Sequence, residues 1–356
     1  MKAAKVIATV VMVMLAAGCR NESRPQSGGT QSGQEYNQPS YTQPTAAPPT
    51  TPTATTTTVA GPLPAAPAGS YDANGTMTQA FIRQEAKVVL DALVQALSAD
   101  HKVRVTGIPL AVIEDQKEVN AYAGCSSGRA FMGITAPLLM IQAATAEAKA
   151  YDEQFGSRYH DEYISSVAAD VRAGKAVTGL QAGKLPQPGA LDQRKLARQK
   201  YLLDTQLAFV LGHELAHHYR GHTGCANGAT AAITPADVAN LLSGALPIFN
   251  QPLEIEADQF GVRNTLDAGV QQKQTAGAQW TEEGAMLTLD FFGRLSQFGP
   301  EVLLLGFLQT HPHPTFRTPI VQTTAQQWRQ GVGQGGTNPF PIPFPIQIPV
   351  IPGITG

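Results

Sequence analysis

Apolar residues recur at close to helical spacing between Thr76 and Ala99, at Phe81, Ile82, Val88, Val89, Leu90, Leu93, Val94 and Leu97, and predict a first helix there. The period then changes. VRVTGIPLAVI, residues 103–113, alternates loosely between Gly and Pro and predicts one strand or two short ones. VNAYAGCSSGRAFMGI, residues 119–134, sets a Gly/Ser turn between two extended pieces, the pattern of a hairpin or of a strand pair at a sheet edge. Ala136 to Ala150 returns to helical spacing. Residues 152–200 mix charged and aromatic side chains and are broken by GKLPQPGAL, so helical pieces flank an interruption that is either a lid over a site or a surface insertion. From Lys200 to Tyr219 the chain is apolar on nearly every side, with Gly212 as the one breaker, as in a helix buried in a core. Strands early and helices afterwards predict an α+β domain, mostly helical, with a small edge β-sheet.

The flanks read differently. Residues 20–70 are almost all Ser, Thr, Pro, Gln, Gly and Ala, too polar and too small to offset the entropy of ordering them, and predict a disordered tether. The end, NPFPIPFPIQIPVIPGITG, alternates Pro with large apolar residues, which excludes helix and central strand and leaves an extended or polyproline-II path. Its Phe340, Ile342, Phe344, Ile346, Ile348 and Val350 either dock on the domain or a partner, or belong to a mobile tail. The expected organisation is a signal segment at 1–18, a tether at 19–70, a folded domain at 71–330 and a Pro-rich tail at 331–356.

Lys2 and Lys5 followed by the apolar run VIATVVMVMLAAG make a secretory signal, since the run falls short of the roughly 20 residues needed to span a bilayer. Leu15-Ala16-Ala17-Gly18-Cys19 resembles the lipobox of bacterial lipoproteins, which would make Cys19 the lipidated residue. Ala16 departs from the commoner larger aliphatic, and an ordinary signal peptide is the alternative. Arg20 stands where an inner-membrane retention signal would have Asp, so the expected location is the cell envelope, lipid-anchored at the outer membrane and facing the periplasm. Beside Cys19, the remaining pair Cys125 and Cys225 is open to a disulfide in an oxidising compartment, two free thiols being the alternative. A net charge of −2 with interspersed signs offers no basic patch, and nucleic acid is not an expected partner.

The chemistry gathers in LGHELAHHYRGH, residues 211–222, which holds four of the chain's eight histidines. On a helix, His213 and His217 lie within roughly 40° of each other and can share one ion, whereas His218 points ~140° from His213 and His222 falls on the opposite side. Glu214 lies between them, as in H-E-x-x-H, where two imidazoles hold zinc and the carboxylate activates the water bound to it. Two histidines and a glutamate on an apolar helix would be costly to bury without a partner. The H-x-x-G-x-x-H continuation of a metzincin fails, because Arg220 replaces the glycine and Thr223 the third histidine. Downstream, PLEIEADQFGVRN puts Glu254 and Asp258 four apart on one face, so Glu254 is the expected third ligand and Asp258 orients a histidine from behind. Glu256 faces ~200° around from Glu254.

HELAH followed by E-I-E-A-D resembles the M48 metallopeptidases, a gluzincin family with HExxH plus ExEAD, and here its soluble lipoprotein branch. EVNAYAGCSSGRAFMGI is similar to the family's N-A-x-A strand segment, and THPHPTFR to its H-P-x-P-x-x-R pattern. The resemblance covers roughly residues 75–330 and implies a zincin-like domain with one Zn2+ per chain. It also implies that His311 stabilises the oxyanion with Arg317 supporting it, and that His313 is a turn residue. Substrate would be an unfolded or extended polypeptide added as a strand near Arg129 to Gly133, touching Asn120, Phe131, Met132 and Gly133. The implied activity is a zinc endopeptidase for unfolded or misassembled envelope proteins. The alternatives are a zinc-containing but silent chaperone and a purely structural lipoprotein.

Overall fold

The computed structural model describes residues 63–115, 118–126, 128–225, 251–299, 301–302 and 305–332. The signal segment, Cys19, most of the tether and the Pro-rich tail beyond Val332 lie outside these residues. By backbone contacts the chain divides into Met1–Thr56 and Thr57–Gly356, and every described residue belongs to the second unit. In chain order the elements are α1 (Gln79–Ala96), α2 (Ala99–Val105), β1 (Leu110–Ile113), β2 (Ala121–Ser126), β3 (Arg129–Thr135), α3 (Ala136–Phe155), α4 (Tyr159–Arg172), α5 (Gln193–Tyr219), α6 (Gln251–Ala276), α7 (Glu283–Leu295), α8 (Gly306–Thr310) and α9 (Pro314–Val332). This is the expected α+β arrangement, mostly helical with one small sheet. None of the described helices is long and apolar enough to cross a membrane.

α5 is the axis. Asp192 starts it, its carboxylate accepting from the amides of Arg194 and Lys195, and from Tyr201 to Tyr219 every residue is buried. A helix enclosed on all sides needs neighbours all round, and α1, α3, α6, α7 and β2 supply them. α1 offers Ile82, Ala86, Val89, Leu90 and Leu93 from one face. α3 begins where the Thr135 hydroxyl accepts from the Leu138 amide and stops at Gly156, whose φ of 69° lets the chain turn away.

The sheet has the order β1-β3-β2. β3 runs parallel to β1, with Met132 opposite Leu110, and antiparallel to β2, with Gly124 opposite Phe131. The hairpin read from residues 119–134 is therefore present, but β3 is the central strand. The strand expected from residue 103 is partly helix: α2 covers Val103 to Val105, and only Leu110–Ile113 is extended. Asp100 in the first turn of α2 and Lys102 and Arg104 in its last complement the helix dipole, and this outweighs the brief V-R-V alternation. Cys125 on β2 and Cys225 beyond α5 are joined by a disulfide with Cα atoms 5.8 Å apart. Of the long segment 152–200, α4 packs on α3 and α7. Leu63, within the stretch read as tether, packs against the core.

One buried ion pair fastens α5 to α3. Lys195 Nζ lies 3.5 Å from Glu147 Oε1, their side chains 0% and 3% exposed. Lys195 also donates to the Gly75 carbonyl at 3.2 Å, and the Thr76 hydroxyl donates to Glu147 at 3.1 Å. Burial pushes the Glu147 carboxyl up to about 7, with the Lys195 charge and the Thr76 hydroxyl holding it back. Removing the cation strands a carboxylate in the core. Lys195→Met is expected to cost about 3 kcal/mol at pH 8, roughly 6–12 °C in Tm, and the double variant Lys195→Met/Glu147→Leu to recover most of it. The folded-state pKa of Glu147 lies above its unfolded value, so at pH 5 the carboxyl holds a proton and needs no cation, and the loss shrinks. Calorimetry at both pH values checks this, and equal losses would remove the ionisation of Glu147 from the account.

Candidate metal centre

The last turns of α5 carry His213, Glu214 and His217, all buried. His213 Nε2 and His217 Nε2 face each other at 3.1 Å. Glu254, near the start of α6, meets both: its Oε2 is 3.3 Å from His213 Nε2 and its Oε1 is 3.4 Å from His217 Nε2. His311, between α8 and α9, places Nδ1 2.7 Å from Glu254 Oε2 and Nε2 3.7 Å from Glu214 Oε1. His213, Glu254 and His311 each offer a ligand atom within 4.8 Å of the others.

Behind this cluster, His213 Nδ1 is 2.9 Å from Asp258 Oδ1. Arg317 of α9 grips the same carboxylate, Nε donating to Oδ2 at 2.9 Å and Nη2 to Oδ1 at 2.6 Å, with its guanidinium lying between the rings of Phe209 and Phe307. Burial alone would raise the Asp258 carboxyl, but the Arg317 charge and the hydrogen bonds of Arg317 and His213 hold it below its usual range. It can then only accept, so the His213 Nδ1 carries a proton. Glu254 is likewise pulled far down against its burial by His311, His213 and His217. Burial raises Glu214, while the charges of His213 and His311 pull it back. For His213 the order is reversed: burial lowers it, yet its bonds to Asp258 and Glu254 bring it up to about 9.

These donors fit zinc. A tetrahedral ion ~2.0–2.1 Å from each donor sets them about 3.3 Å apart; the two imidazole nitrogens are 3.1 Å apart, and each has one Glu254 oxygen at that spacing, Oε2 3.3 Å from His213 and Oε1 3.4 Å from His217. Glu254 Oε1 and His311 Nε2, both buried, have no hydrogen-bond partner among the described residues. Orphaned acceptors and imidazole nitrogens in a closed space are what a cation would satisfy.

The structure brings together His213, Glu214, His217, Glu254, Asp258, His311 and Arg317 from three separate stretches of sequence. Arg317 stands behind the ligands, bonded to Asp258 and with Nη2 3.3 Å from His213 Nδ1, and so steadies His213. Two expectations are corrected. Phe131, Met132 and Gly133 cannot receive a substrate strand: β3 is paired on both sides, and the Phe131 carbonyl accepts from His218 Nε2 at 3.0 Å. Asn120 is fully buried, its amide group donating to Thr310 Oγ1 at 3.2 Å beside His311, so it anchors that turn and is closed to substrate. His218, held by Phe131 and Thr223, is turned away from the cluster, as its helical angle requires. His313 bonds Ser296 at 2.9 Å. A cavity of about 460 Å³ walled by Phe81, Tyr201 and Trp280 shares no residue with the cluster.

Sequence reasoning missed His222 and Glu256. His222 Nδ1 sits 2.9 Å from His217 Nδ1, and Glu256 Oε2 3.1 Å from His222 Nε2. A continuous helix would carry His222 away, but α5 ends at Tyr219 and Gly221, at a φ of 84°, folds the chain back. That glycine, just past the helix, was the available signal.

An HExxH helix completed by a glutamate and an aspartate from a second helix is the site of a zinc metallopeptidase. Residues 84–324 match the profile of Peptidase family M48, two thirds of the chain, and the protein belongs to that family of zinc metalloendopeptidases. No curated protein and no solved structure gives a significant match.

Because His213 holds a proton up to about pH 9 and a metal ion needs its bare nitrogen, zinc binding at pH 7 is expected to release about one proton. Titration calorimetry in two buffers of different ionisation enthalpy measures that number. Below pH 9 the apparent affinity falls with pH, and a flat profile would contradict the arrangement.

Proposed function

We propose that the chain is an endopeptidase acting on unfolded or misassembled proteins of the cell envelope, with one zinc ion held by His213, His217 and Glu254. The observation that carries it is Glu214: a buried carboxylate one residue from His213, turned toward His311 at 3.7 Å and paired with no Lys or Arg among the described residues. Zinc bound there supplies Lewis acidity toward a peptide carbonyl and toward water. Glu214 takes the proton of the attacking water and returns it to the leaving amine, a role suited by a pKa raised above the ordinary carboxylate value. His311 directs its unpartnered Nε2 into the same space, where it can donate to the developing oxyanion. Asp258 and Arg317 keep the His213 ring in place.

β2 supports an extended substrate. It is one of the two outer strands of the sheet, it packs against α5, and no strand pairs with its far edge among the described residues. A polypeptide adding there would run beside the HExxH helix and be read through its backbone, which suits unfolded clients of varied sequence. Residues 1–19 and the Cys125–Cys225 disulfide support an exported, lipid-anchored protein.

The full chain, assayed on casein beside Glu214→Gln with zinc measured on both, tests the reading. Equal zinc and a kcat lowered roughly 100- to 10,000-fold in the variant is the expected result. Client binding without cleavage by the zinc-loaded wild type would replace the peptidase with a chaperone.

A further inference from the structure

The two histidines of the HExxH helix are braced in parallel, but by different devices. His213 leans directly on Asp258, which Arg317 holds, and this arm is wholly buried. His217 leans on a second imidazole, His222, at 2.9 Å, and His222 leans on Glu256 at 3.1 Å. Glu256 is held in turn by Arg220, Nε donating to Oε1 at 2.7 Å and Nη2 at 2.6 Å, with the Arg220 guanidinium lying 4.2 Å from the Phe260 ring centre on α6. This arm reaches the surface: the side chains of Arg220 and Glu256 are 34% and 24% exposed, whereas that of His222 is 4% exposed.

With both imidazoles neutral, one arrangement of protons satisfies these bonds. The Glu256 carboxylate can only accept, so a neutral His222 donates from Nε2 and keeps a lone pair at Nδ1. That lone pair accepts from His217 Nδ1–H. His217 Nε2 is then left bare, aimed at Glu254 and His213. An imidazole presented to a metal in the wrong tautomer cannot bind it, and the group on its far nitrogen decides which tautomer is held. The backbone agrees with the purpose: the His222 amide donates to the His217 carbonyl at 2.8 Å, so the turn at Gly221 sets the two rings against each other.

We infer that His222 is a positioning residue for zinc, fixing the tautomer and ring plane of His217, and that Glu256 and Arg220 serve the site by fixing His222. The inference rests on the zinc reading above and assigns a use to the middle acid of E-I-E-A-D.

The test is zinc affinity of the full chain against a competing chelator, with melting temperatures of the zinc-free proteins beside it. His222→Ala is expected to weaken zinc roughly 10- to 100-fold. His222→Gln, whose amide can accept from His217 and donate to Glu256, is expected to restore most of that loss. Glu256→Gln, which leaves every atom of His222 in place, is expected to weaken zinc by a smaller factor with the zinc-free melting temperature nearly unchanged, and it carries the test if His222→Ala fails to fold. Affinities within about twofold of wild type in both His222→Ala and Glu256→Gln, or a Gln variant no better than Ala, overturn the inference while leaving the zinc reading intact. A wild type that binds no zinc overturns the zinc reading itself.

Discussion

Where α6 crosses α5, the Gly261 backbone lies so close to the active-site helix that a Cβ there would stand 2.8 Å from the His213 amide nitrogen and 3.0 Å from the Gly212 carbonyl carbon. Real side chains do not tolerate that distance, so any larger residue would push the helices apart. The consequence follows from helical spacing. Glu254, Asp258 and Gly261 stand at i, i+4 and i+7, one stripe of α6, and the stripe that makes contact at Gly261 delivers both carboxylates to His213 and His217. Metal donors about 3.3 Å apart leave little room for slack, and this crossing is what removes it.

Close packing brings an electrostatic problem with it. Glu214, Glu254 and Asp258 are 2%, 1% and 0% exposed, and among the described residues Arg317, at 1%, is the permanent cation buried with them. Burying ions costs several kcal/mol each unless they are neutralised in place. Three carboxylates against one guanidinium leave a deficit of two positive charges, which a divalent ion matches; in its absence a protonated His213 offsets one of them. The Asp258–Arg317 pair and the arm through His222 to Glu256 and Arg220 then look like one solution applied twice: each zinc-facing imidazole is braced at its other nitrogen by a carboxylate that an arginine restrains, directly for His213 and through His222 for His217.

Much of this was legible in the chain. H-E-x-x-H on an apolar helix and the four-residue interval from Glu254 to Asp258 carry their geometry in their spacing, because a helix maps sequence onto angle. The α+β order was readable from the change of period after Ala99. What could not be read was any relation set by tertiary packing. Spacing does not say which strand is central, and β3 turned out to lie between β1 and β2, closing Phe131, Met132 and Gly133 to a substrate strand. Nor does it say that a helix stops: His222 was placed by extending α5 past Tyr219, and the turn at Gly221 reversed its direction. Arg317, more than fifty residues from Asp258, could be tied to the site only through resemblance. Asn120 lies beside a strand but holds the His311 turn from inside.

The proposed ligand set is most directly tested by X-ray absorption at the zinc edge of the full chain loaded with one equivalent of zinc. The account predicts two imidazoles and carboxylate oxygen in the first shell, with nitrogen and oxygen distances near 2.0–2.1 Å. Three imidazoles would put His311 on the metal and remove it from the oxyanion role, and sulfur in the shell would contradict the centre described here.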